Sequence, residues 1–135
     1  MQIIVFLSGI VILFFCMFLI GLAILIVITP QRAERFLNLY ASSARAHYTE
    51  QSARFIIGVA IVVFAPFMWY STLINLLGWI LIVTSIGLFL IPWQWHHKFG
   101  AWAIPLTLRY MKCYALGSFL LGIAILYSLS KVLEV

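Results

Sequence analysis

Long apolar segments separated by short polar ones dominate the chain. Residues 1–31 contain no charged side chain, and residues 3–28 form an almost uninterrupted run of aliphatic and aromatic residues. As a helix, that run would be about 39 Å long, which exceeds the roughly 30 Å hydrocarbon core of a bilayer. A second apolar run covers residues 55–91, and a third covers residues 113–129. The pattern predicts membrane-spanning helices.

The second run is too long for one crossing and suits two crossings of about 18 residues each. Its polar sequence Tyr70-Ser71-Thr72 marks the expected turn. No basic segment precedes the first run and no small-residue cleavage site follows it, so we interpret it as a retained helix rather than a secretory signal. The sequence predicts an all-α integral membrane protein with four transmembrane helices. The alternative is three, with residues 55–91 forming one long tilted helix and an interfacial segment.

The basic residues predict the orientation of these helices. Seven of the eight lie in two connecting segments, residues 29–54 and 92–112, namely Arg32, Arg35, Arg45, Arg54, Lys98, Arg109 and Lys112. A four-helix path brings both segments to one face of the membrane, which the positive-inside rule makes cytoplasmic. We therefore expect both termini and the turn near residue 70 to lie outside.

Composition excludes several classes of function. The 135 residues are 66% hydrophobic and 8% charged, whereas roughly a quarter of a typical soluble domain is charged. This composition excludes a soluble enzyme, a disordered tail and a nucleic-acid-binding domain. The net charge of +5 does not indicate a nucleic-acid partner, because membrane topology explains it. Three carboxylates, three histidines and two cysteines are little material for catalysis. We predict neither an enzyme activity nor a nucleic-acid partner.

The two halves of the chain align when one is shifted by about 62 to 64 positions. Pro30 then corresponds to Pro92, Arg45 to Arg109, and Gly58 to Gly122. We predict a single membrane domain, residues 1–135, composed of two tandem units, residues 1–70 and 71–135. Each unit would be a helix, a basic interfacial segment and a second helix, and a pseudo-two-fold axis along the membrane normal would relate them. The alternative is a coincidence of aliphatic composition.

Each unit follows one order: a helix, a proline, an amphipathic stretch, and a second helix that contains glycine. Pro30, Arg54 and Gly58 mark this order in the first unit, and Ser118 stands in place of the arginine in the second. In outline, one unit resembles the small two-span inner-membrane proteins of bacteria that have no assigned function. The resemblance implies a bacterial cytoplasmic membrane as the location, and it implies no activity.

The first connecting segment is expected to be an interfacial cytoplasmic helix. Thr29 and Pro30 form a good helix start, and no proline or glycine follows before Gly58, so a helix is expected to extend across the segment. Its arginines lie opposite an apolar arc, which is typical of a helix in the membrane interface. The alternative is a cytoplasmic helix packed on its own protein. We predict that the seven cations of both segments bind anionic lipid headgroups, each contributing about 1 kcal/mol.

The second connecting segment is aromatic. Indole rings favour the headgroup level of a bilayer, so we expect three tryptophans to be interfacial anchors: Trp93, Trp95 and Trp102. A ligand-stacking pocket is the alternative. Gly100 and Pro105 are expected to interrupt any long helix here, because proline disfavours a helical conformation at the preceding residue. This segment is therefore either interfacial or re-entrant.

Few residues are candidates for a chemical site. His47, His96 and His97 invite a metal or haem hypothesis, but no ligand spacing accompanies them, so we predict no cofactor and no metal. No acid, lysine, arginine or histidine is expected at bilayer depth, although proton relays and coupled transporters usually need such groups there. Close helix packing is expected at three small residues, namely Gly58, Ser118 and Gly122.

Two classes of function follow from these patterns. The first is a small non-enzymatic accessory, assembly or scaffold subunit that binds partner transmembrane helices, or a second copy of itself, and anionic lipid headgroups. The second is a small transporter or lipid-handling protein, in which a central cleft between the repeats lets Arg45 and Arg109 bind a phosphate headgroup. The absence of charge from the predicted bilayer interior favours the first class.

Overall fold

The computed structural model describes residues 2–40 and 42–134, and those residues contain helices and no strand. Six α-helices follow one another: α1 (Gln2–Ile28), α2 (Pro30–Tyr40), α3 (Ala44–Phe64), α4 (Ser71–Leu90), α5 (Trp93–Arg109) and α6 (Met111–Leu129). Two short 3-10 helices, Ala65–Phe67 and Ser130–Glu134, extend α3 and α6.

Four of these helices are long and apolar enough to cross a membrane. They are α1, α3 with its extension to Phe67, α4, and α6 with its extension to Val132. The prediction of an all-α, multi-pass membrane protein with four such helices is confirmed. The three-helix alternative is wrong, because a turn divides residues 55–91 into two helices.

The turn between α3 and α4 lies at the polar sequence that predicts it. Tyr70 has a left-handed backbone (φ 54°) immediately before α4 begins. The backbone N–H of Trp69 donates a hydrogen bond to the Ser128 carbonyl oxygen at 2.9 Å. The Lys131 ammonium lies 5.2 Å from the centre of the Trp69 ring, which is cation–π distance. The turn is thereby attached to the C-terminal end of α6.

The four spanning helices pack in the order α4, α3, α1, α6. Helix α1 lies between α3 and α6, and α3 lies between α1 and α4. A core of buried apolar residues joins them, including Ile12, Cys16, Ile61, Met68 and Ile125. We call the end of the bundle that carries α2 and α5 the connector end. The end that carries residues 65–70 and the C-terminus of α6 is the turn end.

Small residues allow two pairs of helices to approach closely. A Cβ atom added at Gly58 of α3 would lie 2.9 Å from the Gly78 carbonyl oxygen of α4. A Cβ atom added at Gly122 of α6 would lie 3.0 Å from the Ile20 side chain of α1. One turn earlier in α6, the Ser118 hydroxyl donates a hydrogen bond across the helices to the Leu19 carbonyl oxygen at 2.9 Å. Gly58, Ser118 and Gly122 all lie at helix–helix contacts.

The lack of proline and glycine in the first connecting segment predicts one continuous helix, and this prediction is wrong. Helix α2 ends at Tyr40 and α3 begins at Ala44. Two serines account for the break, because their hydroxyl groups compete for backbone hydrogen bonds. Ser42 donates to the Leu39 carbonyl oxygen at 2.7 Å, and Ser43 caps α3 by accepting from the Ala46 N–H at 3.2 Å.

The prediction that Gly100 and Pro105 interrupt the helix of the second connecting segment is wrong. Helix α5 passes through Gly100 and Pro105 without interruption. Proline removes one backbone donor, but neighbouring helices and serine or threonine side chains often compensate for it in membrane proteins. The segment is a single helix of 17 residues.

Candidate functional site

A buried polar cluster lies at the connector end, where α3 begins, α4 ends and α5 begins. His47 and Gln51, one helical turn apart on α3, are 1% and 0% exposed. Glu50 and Arg54, also one helical turn apart, lie beside them on α3. His96 of α5 contacts the cluster from the other side. Polar side chains buried in this way are rare unless they are paired or functional, so this cluster is the candidate site.

The two histidines are hydrogen-bonded to each other. The Nδ1 atoms of His47 and His96 lie 2.6 Å apart, and His47 Nε2 lies 3.1 Å from the Leu88 carbonyl oxygen near the end of α4. A carbonyl oxygen only accepts, so His47 Nε2 carries a proton. In a neutral ring, His47 Nδ1 is then the acceptor, and His96 Nδ1–H donates to it. The Leu88 carbonyl thus fixes the tautomers of both rings and leaves His96 Nε2 as an acceptor.

The surroundings favour the neutral form of His96. Burial lowers the pKa of His96 below the ordinary histidine value, and positive charge on His47 and on Arg54 lowers it further. The edge of the Tyr48 ring covers His47, with 4.9 Å between the ring centroids, and Tyr48 stacks in turn on Phe89. Added positive charge on the pair is therefore costly, because of burial and the neighbouring positive charge.

The remaining polar groups of the cluster are only partly satisfied. The Arg54 guanidinium donates to Glu50 Oε1 at 2.7 Å, one helical turn away. The other carboxylate oxygen of Glu50 and both polar atoms of the Gln51 amide are buried without a hydrogen-bond partner in the described structure. An unsatisfied buried amide or carboxylate oxygen costs about 1–3 kcal/mol. The cluster therefore has spare hydrogen-bonding capacity for water, a proton or a small polar ligand.

Metal and haem chemistry find few ligands in this arrangement. Among the described residues, no group of three histidine, cysteine or carboxylate side chains is placed to hold a metal ion. Cys16 is buried in the core and Cys113 is exposed. The structure brings His47 and His96 together, whereas His97 is exposed and lies beside Trp93, with 6.1 Å between the ring centroids. Haem at the three histidines stays a hypothesis from the sequence.

Sequence reasoning missed this cluster for two reasons. His47 and His96 are 49 residues apart, and nothing local indicates that they meet. The second reason is the expectation that charged and imidazole groups stay outside the bilayer, which gave no cause to place His47, Glu50 and Arg54 within the long helix α3. A usable signal was present, since His47, Glu50, Gln51 and Arg54 follow the i, i+3, i+4, i+7 spacing of one helix face.

Six of the seven cations predicted to bind lipid headgroups are exposed: Arg32, Arg35, Arg45, Lys98, Arg109 and Lys112. Arg54 differs, because Glu50 pairs with it. Of the predicted anchors, Trp95 and Trp102 are 70% and 67% exposed, and Trp93 is half-buried. Phe99 lies between them on the same face of α5, with its ring 5.8 Å from that of Trp102. The connector end therefore combines exposed positive charge with an exposed aromatic stripe.

A large apolar groove lies at the opposite, turn end. Its volume is about 1340 Å³, and α1, α3 and α6 line it. The lining side chains include Val5, Phe6, Leu13, Phe64, Phe67 and Leu126, with Lys131 at the edge. Arg45 lies some 18 residues before the groove residue Val63 on α3, about 27 Å away along the helix. Arg45 therefore does not line this groove, and Arg109, at the end of α5, is absent from its lining.

Comparison of the chain with protein-family models, with curated proteins and with solved structures finds no match, so function has to be argued from the chain's own residues.

Proposed function

We propose that this protein is a non-enzymatic accessory or assembly subunit of the membrane. It binds a transmembrane helix of a partner protein in the groove at the turn end, and it binds anionic lipid headgroups at the connector end. The observation that carries the proposal is the groove, because three spanning helices converge on it and leave its apolar floor uncovered by the other residues that the structure describes.

The size of the groove suits a helix. Its floor runs along α1 from Gln2 to Leu13, which is about 17 Å at the helical rise of 1.5 Å per residue. A volume of 1340 Å³ corresponds to a similar length of a helix about 10 Å across. Half of a partner's transmembrane helix would therefore fit between α3 and α6. Association inside a bilayer depends on such close packing, since lipid tails are as apolar as the side chains.

Filling the groove tests the partner-binding part of the proposal. We expect Leu13→Trp to displace the partner helix, because overpacking a fitted contact costs about 1–3 kcal/mol and lowers affinity about 5- to 150-fold. The measurement is native gel migration of the protein extracted in mild detergent. Wild type is expected to migrate in a complex larger than a homodimer, and Leu13→Trp as the free protein.

Phe14→Trp is the matched control for this experiment, because Phe14 is exposed on the adjacent face of α1 and does not line the groove. It should migrate like wild type. If wild type itself migrates as a monomer or homodimer, the accessory-subunit proposal is wrong. Equal loss of the complex in both variants would contradict the assignment of the groove as the binding site for the partner helix.

Lipid binding is supported by the exposed cations and the aromatic stripe of α5. Amphipathic interfacial helices bind anionic membranes through apolar burial together with electrostatic attraction, and each cation near the surface contributes about 1 kcal/mol. Helix α2 carries Arg32 and Arg35, both exposed, beside an exposed Leu39. We propose that α2 and α5 lie in the cytoplasmic interface, with both chain termini outside.

Removing two of these charges tests the lipid-binding part. We expect Arg32→Gln with Arg35→Gln to lower the affinity for an anionic phospholipid about 30-fold, and to leave the affinity for a zwitterionic one unchanged. Titration of the purified protein with each lipid under native mass spectrometry gives both affinities. Lys131→Gln, at the turn end, is the control and should have little effect. An unchanged anionic-lipid affinity in the double variant would contradict the assignment.

The tandem units belong to the same proposal, and two close contacts support them. The shift that relates Pro30 to Pro92 also relates Cys16 to Gly78, and the shift that relates Arg45 to Arg109 also relates Gly58 to Gly122. Gly58 packs on Gly78, and Gly122 packs beside the Cys16 carbonyl oxygen. Under the proposed two-fold axis the α3–α4 contact would correspond to the α1–α6 contact, whereas the α1–α3 contact has no α4–α6 counterpart of similar extent among the described residues.

A further inference from the structure

We propose that the His47–His96 pair is a binding site for one proton, and that binding of a second proton releases the first turns of α5 from α3 and α4. The ligand is the hydronium ion of the connector-side solvent. This inference goes beyond the proposed function, because it requires neither a partner helix nor a lipid headgroup.

The pair is placed to hold three helices together. His47 is on α3, its Nε2–H donates to the Leu88 carbonyl oxygen of α4, and its Nδ1 accepts from His96 of α5. His47 is almost fully buried, whereas His96 is half-buried and is the member that solvent reaches. Docking of the start of α5 on α3 and α4 therefore includes one hydrogen bond between two ionisable rings.

The first and second protons have different effects on this bond. One proton added at His96 Nε2 leaves Nδ1–H donating to His47, so the hydrogen bond survives. A second proton, at His47 Nδ1, places two N–H groups opposite each other 2.6 Å apart, with no acceptor between them. Two positive charges on adjacent rings also repel each other. The doubly protonated pair must therefore separate.

The other charged groups around the pair determine how strongly it resists protonation. On α3, Arg54 raises the positive potential at His96, and Glu50, which pairs with Arg54 and attracts positive charge on His47, partly offsets it. The sequence of α4 has no titratable side chain. On α6, Tyr114 interacts electrostatically with Arg54 and Glu50. The exposed charged and titratable side chains on these helices include Arg32, Glu34 and Arg35 of α2, Arg45 and Tyr48 of α3, and His97 and Lys98 of α5.

Hydrogen–deuterium exchange of the full chain tests the proposal. The protein is reconstituted in zwitterionic nanodiscs, so that anionic headgroups play no part. Exchange of the backbone amides of residues 93–98 is measured at pH 7.5 and pH 5.0 and corrected for the intrinsic pH dependence. We expect wild type to lose about tenfold in protection at pH 5.0, because the doubly protonated pair loses the hydrogen bond that joins α5 to α3. His96→Gln and His47→Gln, which remove the pair from either side, should make protection independent of pH.

His97→Gln is the matched control, since it removes the adjacent, exposed imidazole and should leave the wild-type pH dependence intact. Equal protection of the wild type at both pH values would overturn the proposal. Wild-type pH dependence in both His96→Gln and His47→Gln would overturn it as well. Loss of the pH dependence in His97→Gln would also contradict the proposal, because the effect would then depend on His97 and not on the His47–His96 pair. Because each variant is compared with itself at two pH values, a general loss of stability does not imitate the expected result.

Discussion

Replacing Gly58 with alanine is expected to destabilise the folded protein by about 1–3 kcal/mol. The added methyl group would lie 2.9 Å from the Gly78 carbonyl oxygen and 2.9 Å from the Ile82 side chain. The first of these is backbone of another helix, so α3 and α4 must move apart. Gly78→Ala should have a similar effect, because its Cβ would lie 3.0 Å from the Gly58 carbonyl oxygen. The free energy of unfolding in detergent micelles is the measurement.

A matched glycine separates this packing effect from helix propensity. Gly87 is also inside α4, but a Cβ atom added there meets nothing within 4 Å. Alanine is a better helix former than glycine by up to about 1 kcal/mol, so Gly87→Ala should be neutral or stabilising. If Gly58→Ala and Gly87→Ala change the unfolding free energy by the same amount and sign, the close α3–α4 contact does not exist.

Replacing Gln51 with leucine is expected to raise the free energy of unfolding by about 1–3 kcal/mol. Gln51 is fully buried, and neither polar atom of its amide has a hydrogen-bond partner among the residues described. Leucine has a similar volume and removes the cost of desolvating that amide. The same unfolding measurement applies, and Gln94→Leu is the control, because Gln94 is exposed on α5 and should gain nothing.

The opposite result for Gln51→Leu would also be informative. A loss of stability means that the amide is satisfied in solution by bound water or a polar ligand, so that leucine removes those hydrogen bonds. A gain in stability accompanied by loss of a cellular phenotype identifies Gln51 as a residue kept for function at the expense of stability.

The sequence predicts the spanning helices well because hydrophobicity is a local property. A run such as residues 3–28 needs no partner to be recognised, and the hydroxyl-rich turn before α4 is likewise read from adjacent residues. Gly58, Ser118 and Gly122 are also found this way, although a small residue alone is not sufficient, since Gly87 of α4 lies at no such contact.

Predictions that depend on tertiary contacts fare worse. Ser43 ends the expected long helix because its hydroxyl caps α3, and a cap competes with helix continuation in a way that composition does not reveal. Pro105 does not break α5, although proline removes one backbone donor from the helix. The histidine pair depends on how α5 folds back against α3, which neither segment encodes alone.

The order α4, α3, α1, α6 has a consequence for how the chain is made. Helices α3 and α4 are adjacent in sequence and can pair as soon as both have left the ribosome. Helix α1 is synthesised first, yet the partner of its other face is α6, and Ser118 and Leu19 are 99 residues apart. One side of the first helix therefore waits in the lipid until α6 has been inserted, and the four-helix bundle closes only then.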